Sequence, residues 1–199
     1  MKKKLFALIM VISLLGALFT GCGSGINTNE DANEKKPQAV NETVEETNDA
    51  LEKFRSFENN EDMPFQIPDA AAQFIIDHPD FFPGSDSNSG EMSDYVNHDV
   101  YYMHLSKNIS KYVDKLVSVY GDVVDISESP EGDVTFLQVD TGDGQYVLYY
   151  LGTLDDIFEG SYVFAYVLPF AMVTFENMGN TYTEAVAGAA CYVEGYDYE

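Results

Sequence analysis

From Lys115 onward the sequence alternates apolar and polar side chains with the two-residue period that is typical of β-strands. The strand-like stretches lie at 116–126, 134–139, 146–151, 162–167 continuing as 172–175, and 186–193. Segments rich in turn-forming residues separate them at 129–132, 141–144 and 177–180. Five strands at this spacing predict a small closed barrel rather than a flat sheet.

The first strand of this series is unusually long, and Gly121 lies in its middle. A glycine in a strand permits a sharp bend. We therefore predict that the strand bends at Gly121 and joins both halves of the barrel.

The residues before the barrel predict short helices. Thr43 and Glu46 have the spacing of a capping box, and apolar residues recur at helical intervals as far as Phe57. This pattern indicates a narrow amphipathic helix over about 44–57, which either docks on the domain or frays. A second helix begins at Pro68 and ends before Pro79, since proline disfavours helix in the residue before it.

A third helical stretch is predicted over 99–106, with Tyr101 and Leu105 facing inward. Phe81 and Phe82 are expected to pin their segment against the domain, and 84–93 has the composition of a loop. The chain of 199 residues suits one domain with appendages. The predicted parts are a signal peptide at 1–21, a flexible acidic stalk with a possible short helix at 22–60, a helical segment and linker at 62–98, and the barrel at 99–195.

The N-terminal residues resemble a bacterial lipoprotein signal. Lys2–Lys4 form a positive segment, Leu5–Leu18 an apolar run, and Phe19–Gly21 lead directly into Cys22. The resemblance implies that Cys22 receives lipid, palmitate included, after cleavage, so that the protein is anchored in the cell membrane on the extracytoplasmic face. A plain transmembrane anchor with an incidental cysteine is the alternative.

The charge of the chain argues against nucleic acid as a partner. Ten basic residues stand against 34 acidic ones, for a formal charge of −24. After residue 90 only Lys107, Lys111 and Lys115 oppose 19 acidic residues. Because affinity for phosphate backbones rests largely on cationic side chains, we expect no nucleic-acid binding.

The segments Tyr101–Leu105, Asn108–Tyr112 and Lys115–Val123, with Glu159–Val163 further on, resemble the tRNA-anticodon-binding-like OB-fold domains. Such domains often occur in bacterial lipoproteins. The resemblance covers about 99–195 and implies a mainly β fold with α additions, in which short helices precede a five-stranded OB-like barrel. The family name implies RNA, but a fold alone transfers no activity.

OB folds bind ligands through exposed aromatic residues on strands two and three. The corresponding residues here are Phe136, Tyr146, Tyr149 and Tyr150. They are candidate ligand-facing aromatics. Two interpretations remain open: they form the core and rim of the barrel, or they line a groove for a sugar or a peptide.

Residues that could hold a metal or perform catalysis are sparse. Asp140 and Asp143 are weak candidates for Ca²⁺, but a hairpin turn explains the same glycine-rich segment. No two histidines have a metal-ligand spacing, and no nucleophile motif is present. Cys191 lies in an apolar strand and is interpreted as a core residue. The sequence therefore predicts no metal, no cofactor and no enzymatic activity.

Together these features predict a membrane-anchored extracytoplasmic lipoprotein that is a non-catalytic binding or interaction module. The expected partner is an envelope protein, a peptide or a glycan. The main alternative is an acidic, Ca²⁺-dependent envelope protein, and an enzyme is the less favoured one.

Overall fold

A computed structural model describes residues 48–59, 61, 63–176 and 181–196. Within these residues, the helices are α1 (Asp49–Arg55), α2 (Asp69–Asp77), α3 (Ser89–Asp94) and α4 (Tyr102–Asn108). Two short 3₁₀ turns occur at Pro79–Phe81 and Ile109–Lys111. No helix in this described part of the chain is long and apolar enough to cross a membrane.

The strands close into a barrel, and the helices precede it in the sequence. The strands are β1 (Val117–Glu128), β2 (Val134–Asp140), β3 (Gln145–Leu151), β4 (Tyr162–Glu176) and β5 (Tyr182–Tyr196). Their order around the barrel is β1-β2-β3-β5-β4, and β4 pairs with β1 to close it. Among the strand pairs of the described residues, β3 and β5 are parallel and the other four pairs are antiparallel. The predicted fold class, a mainly β five-stranded OB-like barrel preceded by short helices, is confirmed.

The bend that the sequence predicts at Gly121 is present. Val117–Asp122 of β1 pairs with β4, and Asp122–Glu128 pairs with β2, so β1 passes from one neighbour to the other at Asp122. A Cβ atom at Gly121 would collide with the carbonyl oxygen of Asp140. The backbones approach closely here because glycine has no side chain.

The barrel interior is filled by alternate residues of every strand. Branched side chains dominate it, as in Val119, Leu137 and Val163, and each of these three is at most 1% exposed. Leu105 of α4 packs into the same cluster and is fully buried. Burying such side chains is the main favourable contribution to folding, about 25 cal/mol per Å² of apolar surface.

A second apolar layer lies on the outside of the barrel, beneath the N-terminal helices. Leu51 and Phe54 of α1 and Ile75 of α2 are buried in one cluster with Phe170 and Cys191 of the barrel. The helix predicted to dock or fray is therefore docked. Its described start is Asn48, whose side chain caps it by accepting a hydrogen bond from the Leu51 N–H at 2.9 Å; the capping box at Thr43 lies outside the described residues.

The helix predicted between Pro68 and Pro79 is confirmed, since α2 ends at Asp77 with His78 as its C-cap. Phe81 and Phe82 are buried, as predicted. The predicted loop at 84–93 is wrong in its second half, where α3 forms. The helix has a physical reason, because it buries Met92 completely against Gly84.

The helical stretch predicted over 99–106 corresponds to α4, which begins later, at Tyr102. The later start changes which residues face inward. Tyr101 is the N-cap in an extended conformation and is 59% exposed, so its predicted inward position is wrong. Tyr102 packs inward instead, over Gly144 and beside Tyr146. Leu105 is buried, as predicted.

Candidate functional site

The four aromatic residues predicted to face a ligand divide between the two sides of the barrel wall. Tyr146 lies in the interior cluster and is 3% exposed, and Tyr150 is half-buried beside the same cluster. Phe136 and Tyr149 are partners in the β2–β3 register and point outward, into the layer beneath the helices.

The outward pair is covered by the segment that contains α1. The ring of Phe57 lies 5.2 Å from that of Phe136 and 5.4 Å from that of Tyr149. The ring of Phe65 lies 5.3 Å from that of Tyr149. We call Phe136 and Tyr149, with Phe57 and Phe65 above them, the covered face. Burial raises the pKa of Tyr149, which keeps its hydroxyl neutral.

An ion pair holds α1 against the loop between β1 and β2. The ammonium group of Lys53 contacts the carboxylate of Asp133 and lies 3.8 Å from that of Glu131. The hydroxyl of Ser129 donates a 2.6 Å hydrogen bond to Asp133. Hydrogen bonds from Lys53 and Ser129 lower the pKa of Asp133 despite a small opposing effect of burial. The contact secures the edge of the covered face nearest this loop.

The candidate metal ligands Asp140 and Asp143 belong to a turn. The Asp140 carboxylate accepts a hydrogen bond from the Gly142 N–H at 2.8 Å, and the Thr141 N–H donates to the Gly144 carbonyl at 3.0 Å. Gly142 has φ +79°, a conformation that favours glycine. Within the described ranges, no three His, Cys, Asp or Glu side chains are grouped to hold a metal.

The cysteine and histidine side chains considered next contribute to burial, helix capping or ring packing. Cys191 is fully buried, and burial raises the pKa of its thiol well above the usual value. The Nδ1 atom of His104 accepts a hydrogen bond from the Tyr101 N–H at 3.1 Å, which caps α4. His78 lies 4.4 Å from Tyr95, ring to ring. The lipidation candidate Cys22 lies outside the described residues.

A second aromatic surface, absent from the sequence-based candidates, lies on the outer side of β1, β4 and β5. We call it the tyrosine face. The strand register brings its members together, since Tyr120 pairs with Phe164, Tyr166 with Tyr192, and Tyr162 with Tyr196. Each member is two residues from the next along its strand, or four on β5, so all point to one side. The six residues are Tyr120, Tyr162, Phe164, Tyr166, Tyr192 and Tyr196.

Phe164 is the centre of the tyrosine face, and tyrosines surround it. Its ring lies 4.8 Å from that of Tyr120 and 4.7 Å from that of Tyr166. Phe164 is 8% exposed, whereas Tyr120 is 50% and Tyr196 47% exposed. The face therefore has a packed apolar centre and a rim that is open at Tyr120 and Tyr196. Tyr166 and Tyr192 are partly buried against the layer beneath the N-terminal helices.

Carboxylates border these rings. The Tyr192 hydroxyl donates a 2.8 Å hydrogen bond to Asp86, and Glu194 lies close enough to act on the same hydroxyl. Burial, followed by the Asp86 hydrogen bond and the charge of Glu194, raises the pKa of Tyr192. Burial and the neighbouring tyrosines raise the pKa of Tyr120. Both hydroxyls remain neutral at physiological pH and can donate or accept hydrogen bonds.

A shallow open cavity of about 310 Å³ adjoins the tyrosine face at the bend of β1. Tyr120 and Tyr162 form one side of it. Asp122 and Asp140, which are partners in the β1–β2 register, contribute carboxylates to its lining. Aromatic surface and hydrogen-bond acceptors thus meet in one open concavity.

A sequence signal for the tyrosine face did exist. Aromatic residues alternate with smaller ones through Tyr162, Phe164 and Tyr166, and tyrosines recur at Tyr192 and Tyr196. The period identifies residues on one side of a strand. It does not identify which side is covered by helices, so the exposed set could not be separated from the covered one.

No protein-family model matches the chain, and no curated protein matches it. Among solved structures, a chain of Leishmania major assigned as an aspartyl-tRNA synthetase is similar over 55% of this chain, with 12% identity and a TM-score of 0.35. An aspartyl-tRNA synthetase of Entamoeba histolytica is similar over 58%, with 12% identity and a TM-score of 0.32. The match spans a quarter of each of those chains.

Proposed function

We propose that the protein is a lipoprotein anchored in the cell membrane through Cys22. Its barrel lies on the extracytoplasmic face, where it is a non-catalytic binding module for an envelope protein, peptide or glycan. The order of a basic segment, an apolar run and small residues before Cys22 supports the anchor. Two or more acyl chains on this residue would hold the protein firmly at the membrane.

The tyrosine face is the observation that carries the binding function. Exposed aromatic surface on a soluble domain commonly marks an interaction site. Tyrosine suits this role because its large amphipathic ring loses little conformational entropy on binding. The rings also lie on strands of a closed barrel, so the surface is preorganised before a ligand arrives.

Lipid attachment is tested by fractionating cells that express the full chain or Cys22→Ala, with a clickable palmitate analogue in the medium. The full chain is expected in the membrane fraction with label, and the variant unlabelled and released by detergent-free washing. A Cys22→Ala protein that stays membrane-bound after washing would contradict the anchor.

Binding is tested in the same cells by placing a photo-crosslinking amino acid at position 120. The matched control places it at Tyr182, which is 76% exposed near the opposite end of β5 from Tyr192 and Tyr196. A discrete crosslinked product is expected from position 120 and not from position 182. Equal products from both positions, or none from position 120, would contradict a binding site on the tyrosine face.

A further inference from the structure

We propose that the tyrosine face binds a cationic, arginine-bearing peptide segment of a partner protein. This inference rests on the proposed binding function and names the chemistry of its ligand. It is carried by three observations: the exposed rings, the carboxylates that border them, and the charge of the chain.

The exposed rings provide a surface on which a cation can lie. Tyr120 and Tyr196 are each about half exposed at the rim of the packed centre formed by Phe164. The face of an aromatic ring carries a partial negative charge and attracts a guanidinium or ammonium group within about 6 Å of its centroid. Arginine is the more frequent partner because its planar group also stacks on the ring.

The carboxylates are placed where they would receive the same group. Asp122 is exposed and lines the cavity together with Tyr120, and Glu194 is exposed on β5 between Tyr192 and Tyr196. Neither a lysine nor an arginine occurs among the residues that build the tyrosine face or line its cavity. A guanidinium fork can stack on a ring while it donates hydrogen bonds to a neighbouring carboxylate.

Charge complementarity decides between a cationic peptide and a neutral glycan. The formal charge of the chain is −24, and removal of Lys2–Lys4 with the signal peptide would lower it to −27, because seven basic residues would remain against 34 acidic ones. Such a field speeds the approach of a cationic partner and opposes an anionic one. A neutral sugar would gain nothing from this field, whereas an arginine-bearing segment gains from the field, the rings and the carboxylates.

The test measures fluorescence anisotropy of labelled peptides with the full chain, purified in detergent, at physiological ionic strength. The probes are a short peptide of alternating arginine and glycine, and the same peptide with citrulline in place of arginine. Citrulline keeps the planar shape and removes the charge. We expect the arginine peptide to bind, the citrulline peptide to bind at least about tenfold more weakly, and Tyr120→Ala/Tyr196→Ala to weaken arginine binding about tenfold.

The tyrosine variant separates a specific site from general attraction to an acidic surface, because it leaves the net charge unchanged. Tyr120→Phe keeps the ring and is expected to retain binding, as is Tyr182→Ala. A second variant, Asp122→Asn/Glu194→Gln, covers the case in which the first is unstable. Its matched control, Asp94→Asn/Asp99→Asn, removes the same charge from a different cavity, and only the first pair is expected to weaken binding beyond the general effect of charge.

Equal binding of the arginine and citrulline peptides, or unchanged binding by the folded variants of the tyrosine face, would overturn the inference. A neutral oligosaccharide that binds where the arginine peptide does not, and that loses affinity in Tyr120→Ala, would overturn the cationic ligand and leave the binding function standing. If the binding function is wrong, crosslinking from position 120 fails. If only the cationic ligand is wrong, crosslinking succeeds and the arginine peptide does not bind preferentially, so the two failures are distinguishable.

Discussion

The barrel has two aromatic surfaces on its outer side, and the difference between them lies in what covers them. On the covered face, Phe57 and Phe65 lie over Phe136 and Tyr149, which are strand residues of β2 and β3. On the tyrosine face, none of the helices among the described residues takes that position over Tyr120, which stays half exposed. The same residue types therefore contribute to folding on one side and remain available to a ligand on the other.

The covered face corresponds to the surface that OB-like barrels commonly use to bind ligands. The β2–β3 surface, through which such barrels bind single strands, is occupied in this chain by its own N-terminal segment. The open aromatic surface is displaced to β1, β4 and β5. Under the proposed function, a binding site inferred from fold alone would be sought on the wrong side of this molecule.

The largest expected effect is in the apolar layer beneath the N-terminal helices, which also contains the covered face. Phe54 is 1% exposed, and its ring packs edge to face with those of Phe82 and Phe170. Phe54→Ala leaves a cavity there and should lower the free energy of unfolding by about 3–5 kcal/mol. Urea denaturation followed by circular dichroism measures it, with Tyr182→Ala as a control expected to change stability by less than about 0.5 kcal/mol. A loss below about 1 kcal/mol in Phe54→Ala would show that the packing of α1 on the barrel contributes little to folding.

Gly121 joins the two surfaces, because β1 leaves β4 for β2 beside it. In Gly121→Ala the new methyl group meets the Asp140 backbone and the strands must separate. The expected loss is about 1–3 kcal/mol, typical of overpacking. Gly90→Ala is the control, since nothing lies within 4 Å of a Cβ atom there. Equal stability of the two variants would contradict the close approach at the bend.

The sequence predicted the strands better than it predicted the surfaces. Alternation identified all five strands and Gly121 identified the bend, because both depend on local chemistry. Tyr149 and Tyr120 look alike in the sequence, and their difference depends on where α1 docks. α3 was missed for a related reason: its serine, glycine and aspartate indicate a loop, and the buried Met92 overrides them. The periodicity of apolar residues along the sequence does not reveal tertiary contacts of this kind.

A smaller effect is expected where α1 meets the loop between β1 and β2. Lys53→Met removes the partner of Asp133 and should lower the free energy of unfolding by at most about 1 kcal/mol, because the pair is partly exposed. Since the folded-state pKa of Asp133 lies below its usual value of 3.8, its contribution is complete above that pH and is lost as the pH falls through the lowered pKa. The difference between the wild type and Asp133→Asn should therefore shrink in acid and in high salt. If the stability difference between the wild type and Asp133→Asn changed with neither pH nor salt, the contribution of the Lys53–Asp133 pair would not be electrostatic.

The smallest effect compares the tyrosines of the two faces in alkali. Folding raises the pKa of both Tyr149 and Tyr120 above the usual value of 10.0, so each contributes stability that is complete below pH 10 and is lost as the pH rises through the raised pKa. Tyr149 is almost fully buried and should ionise only when the protein unfolds, whereas Tyr120, half in solvent, should ionise in the folded protein. Ultraviolet titration of tyrosinate in the wild type, Tyr120→Phe and Tyr149→Phe assigns the two steps, with circular dichroism to report unfolding. If Tyr149 ionised before unfolding, the N-terminal segment would have to leave the β2–β3 surface readily, and the covered face would then be a second site that opens rather than part of the core.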